Sequence, residues 1–176
     1  EFGHAIHYLN SDVMWPGLAN VPRDFVEFPS QVNENWLLTP YVLNTYAKHA
    51  ETGEPIPQAL VDKIKASDTF MQGFATVEYL SSSILYMMMH NRSEPISDVK
   101  AFEKSALAEI GRPKEMVMRH RLPQFNHLFS GDGYSAGYYS YLWSETMDAD
   151  TWAAFNEAGD VWDKETAERF RSMLLA

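Results

Sequence analysis

The chain has 176 residues and a formal net charge of −10, from 14 Lys+Arg against 24 Asp+Glu, so it carries no electrostatic footprint for nucleic acid or an anionic membrane surface. Hydrophobic residues at 45% and charged residues at 22% describe a globular chain rather than a disordered one. Cysteine is absent, which excludes disulfides, Cys-ligated zinc and thiol nucleophiles, and the longest apolar run, Ile84 to Met89, is far below the ~20 residues that span a bilayer.

Helical patterns dominate in chain order. Pro40 to Ala50 sets Val42, Leu43 and Tyr46 at helical spacing, and Gly53 with Pro55 stops that segment. Pro57 opens a second helix with Leu60, Val61 and Ile64 on one face. Asp68 or Thr69 caps a third, long helix through Phe70, Phe74, Val77, Leu80 and Leu85 to about His90, whose apolar surface wants a partner. Asp98 to Ile110 reads as a fourth helix, closed by Gly111 and Pro113, then Asp150 to Ala158 as a fifth and Glu165 to Leu175 as a sixth. No alternating β-branched run reaches strand length, and no repeat or linker divides the chain. The expected class is mostly α, with one Gly-rich loop from Ser130 to Gly137.

Three segments carry chemistry. The first is Glu1-Phe2-Gly3-His4. A His directly before Glu1 would complete His-Glu-x-x-His, in which two histidines four apart on a helix hold one Zn²⁺ and the Glu acts as general base. The second is Arg23-Asp24-Phe25-Val26-Glu27, which brings a carboxylate 23 residues after His4, enough chain to finish one helix and return from another. Glu27, Ser30, Gln31 and Glu34 share a helical face, so the last three are candidates to orient the metal ligands. The third runs from Phe125 to Trp143, where Tyr134, Tyr138 and Tyr141 fall at i, i+4 and i+7, as on one face of a helix whose start is loosened by glycines. Phenols presented there can donate to a developing oxyanion. The glycines do not make a phosphate loop, because no strand precedes them and no Lys-Ser/Thr follows.

Together these segments resemble the thimet-oligopeptidase-like zinc peptidases. The family pattern His-Glu-Phe-Gly-His is present without its first His, and RDFVEFPSQVNENW (Arg23–Trp36), HAETGEPIP (His49–Pro57) and HLFSGDGYSAGYYSYLW (His127–Trp143) follow in the family's order. The resemblance implies a zincin-like, multi-helix catalytic region belonging to a larger clam-shaped helical fold. Residues 1–176 would then be a partial metallopeptidase catalytic domain truncated at both ends, its partners including the missing N- and C-terminal parts of its own parent. It implies one zinc ion per intact site, held in part by His4 and Glu27, with Glu1 as general base. His127, Tyr134 and Tyr141 would stabilise the reacting carbonyl, and Tyr138 would contact substrate. Short unstructured peptides would be the substrates. The segment DFVEFPSQ and the Tyr-rich loop look more like the peptidyl-dipeptidase branch, which releases C-terminal dipeptides, than the oligopeptidase A branch, which cuts internally. A non-catalytic helical interaction module is the rival from another class.

Departures from the family pattern bear on these expectations. Without the first His the chain offers two protein ligands, and an α-ammonium on Glu1 would sit beside the metal, so the fragment itself is expected to be inactive. Gly17 to Val21 is shorter by about a Gly-Thr pair, which would either mis-aim Glu27 or tighten a turn. Tyr86 replaces an expected Asp. His7, His49, His90 and His120 are read as structural, the last three at helix ends, where a cation suits the dipole. The expected compartment is the cytoplasm, with the periplasm as the alternative.

Overall fold

The computed structural model describes all 176 residues, in nine α-helices joined by turns and short 3₁₀ segments. The helices are α1 (Phe2–Asn10), α2 (Phe28–Glu34), α3 (Pro40–Tyr46), α4 (Gln58–Ser67), α5 (Gln72–His90), α6 (Val99–Glu109), α7 (Asn126–Phe129), α8 (Ser140–Glu157) and α9 (Lys164–Phe170). An isolated antiparallel bridge between Lys48 and Pro55 takes the place of any strand. The mostly α class is the observed one. No helix is long and apolar enough to cross a membrane.

Two compact units emerge, one built from both ends of the chain (Glu1–Ser67 with Ser140–Ala176) and the other continuous (Asp68–Tyr139). Their boundaries fall at the end of α4 and the start of α8 rather than in a Pro/Gly/Ser-rich linker.

In the first unit α2 is the hub, packed against both α1 and α8. Its short sequence explains this: Phe28, Pro29 and Val32 are buried, Pro29 stands in the first turn where its missing N–H costs nothing, and Phe28 meets Phe25 and Phe170 edge-on at 5.1 and 5.8 Å. Trp36, just beyond α2, is wedged against Trp152 and Phe155 at ring distances of 4.9 and 5.0 Å and donates its indole N–H to the Val161 carbonyl at 2.9 Å. Asn35 donates to the Asp148 carboxylate at 2.5 Å, a second tie from α2 to α8. Burial lifts the Asp148 carboxyl above its ordinary range, a rise that the Asn35 hydrogen bond opposes and that Glu34 and Glu145 reinforce.

The second unit packs α5 on α6. Leu85, Ala106, Leu107 and Leu122 form one buried cluster, and Tyr86, Phe125 and Leu128 a second. A fully buried Leu contributes about 1.5–3 kcal/mol, so these few side chains dominate the unit's stability. The Asp98 carboxylate accepts from the Ala101 N–H at 3.0 Å and so caps α6, which starts one residue after the Asp98 that the pattern had counted into it. Gly111, at φ +72°, ends it: Gly111 N–H donates to the Ala108 carbonyl and Arg112 N–H to the Leu107 carbonyl, the paired bonds of a Schellman motif.

Several expectations about elements are corrected. The long helix starts at Gln72 rather than near Asp68, because Met71 takes a left-handed conformation (φ 57°). The helix expected from Asp150 begins ten residues earlier, at Ser140. Residues 133–139 are turns, with Ala136 at φ 53°, so Tyr134 and Tyr138 do not share a helix face with Tyr141. Of the three histidines placed at helix ends, only His90 stands at one. His49 lies in the turn after α3, where its Nδ1 accepts from the Thr52 N–H, and His120 stacks on Phe125 outside any helix.

Candidate active site

Four of the predicted site residues, Glu1, His4, Glu27 and Tyr141, lie in the discontinuous unit. Glu1 is the exposed N-cap of α1, and its carbonyl accepts from the His4 N–H at 3.1 Å. His4, one turn along, points toward α2, and its Nε2 lies 3.4 Å from Glu27 Oε2. Both side chains are largely withdrawn from solvent, at 26% and 12% exposure, so this contact is formed in a partly desolvated setting.

Gly3 makes that approach feasible. A Cβ at Gly3 would stand 2.2 Å from the Ser30 nitrogen and 2.4 Å from its Cα, so only glycine lets the backbone of α1 lie directly on that of α2. Sequence reasoning passed over Gly3, although a lone glycine inside a helical pattern is itself a signal of close backbone packing. The shortened segment before Glu27 resolves into a 3₁₀ turn, Pro16–Ala19, followed by turns in which Phe25 and Val26 N–H both donate to the Pro22 carbonyl. It tightens the chain and leaves Glu27 aimed at His4.

Tyr141 enters the same unit through α8. Gln31, one turn past Glu27, donates its side-chain amide to the Tyr141 carbonyl at 3.1 Å, and Ser144 Oγ donates to the Asp24 carbonyl at 3.2 Å. Of the residues offered as orienting partners, Gln31 therefore fixes α8 rather than a ligand, Ser30 lies under Gly3, and Glu34 is exposed. Ser140 and Ser144 are fully buried, and their small side chains let α8 settle on α2.

His127, Tyr134 and Tyr138 belong to the continuous unit and form one aromatic group there. The His127 and Tyr134 rings are 4.6 Å apart, and Tyr138 meets Phe125 edge-on at 5.2 Å. Tyr79 donates its hydroxyl to the Tyr138 carbonyl, which pins the loop at that point. Burial raises the Tyr138 phenol above its ordinary range, against the pull of Arg119 and with help from Tyr134 and Glu78, so it stays a proton donor at neutral pH. Tyr86 replaces the expected polar contact with an aromatic one: it is buried, its hydroxyl faces the Leu128 carbonyl at 3.4 Å, and its ring meets Phe129 at 5.5 Å. His7 packs edge-on to Phe25 at 5.8 Å, and burial, with the His4 charge, lowers its pKa.

The donor chemistry can be tested against a metal. Two ligands on one tetrahedral zinc, each about 2.0–2.1 Å from it, stand about 3.3 Å apart. The 3.4 Å between His4 Nε2 and Glu27 Oε2 fits such a pair. His4 Nδ1 is buried without a partner, which leaves the ring's hydrogen bonding incomplete. No group of three or more His, Cys, Asp or Glu is gathered to complete the set. The residues present thus fit as two ligands of a site that needs a third.

Comparison with known proteins identifies the family. The chain is 39% identical over 181 residues to the dipeptidyl carboxypeptidase of Salmonella typhimurium. It is 36% identical over 183 residues to oligopeptidase A of Escherichia coli. In both cases all of this chain is matched to 26% of the relative. Saccharolysin of Saccharomyces cerevisiae is 30% identical over 183 residues, with the whole chain matched to 25% of the relative. The chain therefore spans about a quarter of the length of these relatives. Residues 1–176 match the pattern of Peptidase family M3 from end to end, and the chain belongs to that family.

Proposed function

We propose that the protein takes part in zinc-dependent hydrolysis of short, unstructured peptides, releasing dipeptides from the C-terminus. The observation that carries this reading is the His4–Glu27 pair, 3.4 Å apart across α1 and α2, with Glu1 one turn before His4. When bound, zinc would supply a Lewis acid that acidifies water and polarises the peptide carbonyl. His4 and Glu27 would hold it, together with the His that the family pattern sets before Glu1. Glu1 would take the proton from the attacking water and pass it to the leaving amine. Tyr134, Tyr141 and His127 would donate to the developing oxyanion, and Tyr138 would hold the peptide. Residues 1–176 alone, with two ligands, are expected to be inactive, and the working compartment is proposed to be the cytoplasm.

The peptidyl-dipeptidase mode is supported by the DFVEFPSQ segment and the 39% identity to a dipeptidyl carboxypeptidase. Internal cleavage is the second reading, favoured by 36% identity to an oligopeptidase A. Metal content and products test both levels. Replacing Glu27 by Ala in the longest expressible form of the protein should abolish zinc retention by elemental analysis, and undiminished zinc would overturn the ligand assignment. Cleavage of a C-terminally amidated peptide as readily as the free acid would sink the peptidyl-dipeptidase mode.

A further inference from the structure

One face of α5 is turned to the segment that carries His127, Tyr134 and Tyr138. Tyr79 and Tyr86 stand seven residues apart on that helix, so they share a face and lie about 10 Å apart along its axis. Tyr86 is buried in the cluster with Phe125 and Leu128, its hydroxyl 3.4 Å from the Leu128 carbonyl. Tyr79 reaches the other end of the segment, where its hydroxyl donates to the Tyr138 carbonyl. The two tyrosines thus frame the stretch from Leu128 to Tyr138 against one helix.

Between those points the chain is shaped by short-range bonds. Ser135 N–H donates to the Asp132 carbonyl at 2.9 Å and Gly137 N–H to the Tyr134 carbonyl at 2.8 Å, two turns in succession with Ala136 left-handed in the second. Bonds of that reach fix the shape of a turn, whereas its place on the protein comes from contact with a rigid element. Tyr79 meets Tyr138 twice. Its hydroxyl holds the backbone carbonyl, and its ring lies 5.2 Å from the Tyr138 ring, which Phe125 flanks edge-on on its own account at 5.2 Å. The backbone and the phenol of Tyr138 are therefore both set by one side chain of α5. Tyr134 is set differently, its ring resting on that of His127 at 4.6 Å.

We propose that Tyr79 is a positioning residue for peptide binding, acting through Tyr138. The role rests on the peptidase reading above, in which Tyr138 holds the peptide. Because the hold bears on Tyr138 and not on Tyr134, its loss weakens peptide binding and leaves the chemical step in place.

The test is Tyr79→Phe in the longest expressible form of the protein, which keeps the ring against Tyr138 and removes only the donor. With a short free-acid peptide as substrate, KM is expected to rise about 3–10-fold, the worth of one hydrogen bond, with kcat within about twofold of the unsubstituted protein. In a Tyr138→Phe background the same substitution should leave KM unchanged, since the phenol that Tyr79 positions is gone. Hydrogen exchange over residues 131–139 should quicken in Tyr79→Phe while that over α6 holds, a reading that needs no turnover. Unchanged exchange over residues 131–139 overturns the hold itself. A rise in KM that persists undiminished in the Tyr138→Phe background, or a fall in kcat at constant KM, overturns the role in peptide binding. Absence of turnover by the unsubstituted protein overturns the peptidase reading and the role with it, even where exchange shows the contact to be real.

Discussion

The backbone of Gly3 rests on that of Ser30 so closely that a single methyl group would stand 2.2 Å from the Ser30 nitrogen. Glycine to alanine inside a helix ordinarily stabilises, by about 0.5–1 kcal/mol. At Gly3 the sign reverses, because the obstacle is backbone and cannot swing aside. Gly3→Ala is expected to destabilise by about 1–3 kcal/mol, lowering the melting temperature by roughly 3–10 °C, and to weaken zinc retention by parting His4 from Glu27. Gly73, with open space at its Cβ, is the control: Gly73→Ala should hold or raise the melting temperature. Equal behaviour of the two variants in a thermal melt would contradict the packing argument.

Gln31 and Tyr141 are joined by an amide-to-carbonyl hydrogen bond of 3.1 Å. Removing it in Gln31→Ala costs about 1–2 kcal/mol and frees the first turn of α8. If Tyr141 serves the reaction, peptide turnover by the longest expressible form of the protein should fall several-fold while zinc retention holds. A parallel loss of zinc would mean that Gln31 acts on the ligands instead.

The pair Glu103–Arg121 is asymmetric. The Glu103 side chain is 6% exposed and that of Arg121 50%. Removing the cation strands a buried carboxylate, whereas removing the carboxylate leaves a guanidinium that water can reach. Arg121→Met should therefore cost about 3 kcal/mol and Glu103→Gln about 1–2 kcal/mol. Urea unfolding of the two variants ranks them, and the reverse order would refute the account.

Asp148 sets a pH dependence. Its folded-state carboxyl is raised above the ordinary 3.8, with burial the largest cause, so the folded chain holds more protons than the unfolded one in the range just above that value. Stability contributed there is lost as pH rises through the raised value. Asp148→Asn keeps an acceptor for Asn35 and removes the charge. It should raise the melting temperature by about 1 °C at pH 7, a few tenths of a kcal/mol at this half-buried position, and have no effect near pH 3.5.

What the sequence revealed divides by the range of the forces involved. The Gly111 stop was legible because it depends on chemistry within five residues, whereas Asp98, counted into the helix by its pattern, stands just outside it as the cap. The zinc-pair candidates were legible as residue types, but their meeting depends on Gly3, whose role appears only once two helices touch. The start of α8 was hidden because its buried face carries Ser140 and Ser144, small polar residues that leave no hydrophobic period. Tyr134 and Tyr138 were assigned helical spacing that the left-handed backbone of Ala136 forbids. Tertiary contact, not local propensity, decided each of these.

The two-ended construction of the first unit also governs how the chain folds. The continuous stretch Asp68–Tyr139 can collapse on contacts made within itself, while the hub helix α2 stays half-covered until α8 arrives from beyond it. Closing so long an intervening stretch costs only a few kcal/mol more than a short one if it is slack, and less if it has already condensed. The order of events is thus built in. During synthesis the segment carrying His4 and Glu27 emerges before α8 and is completed only when α8 arrives, and until then its apolar surface is a target for chaperones and for aggregation.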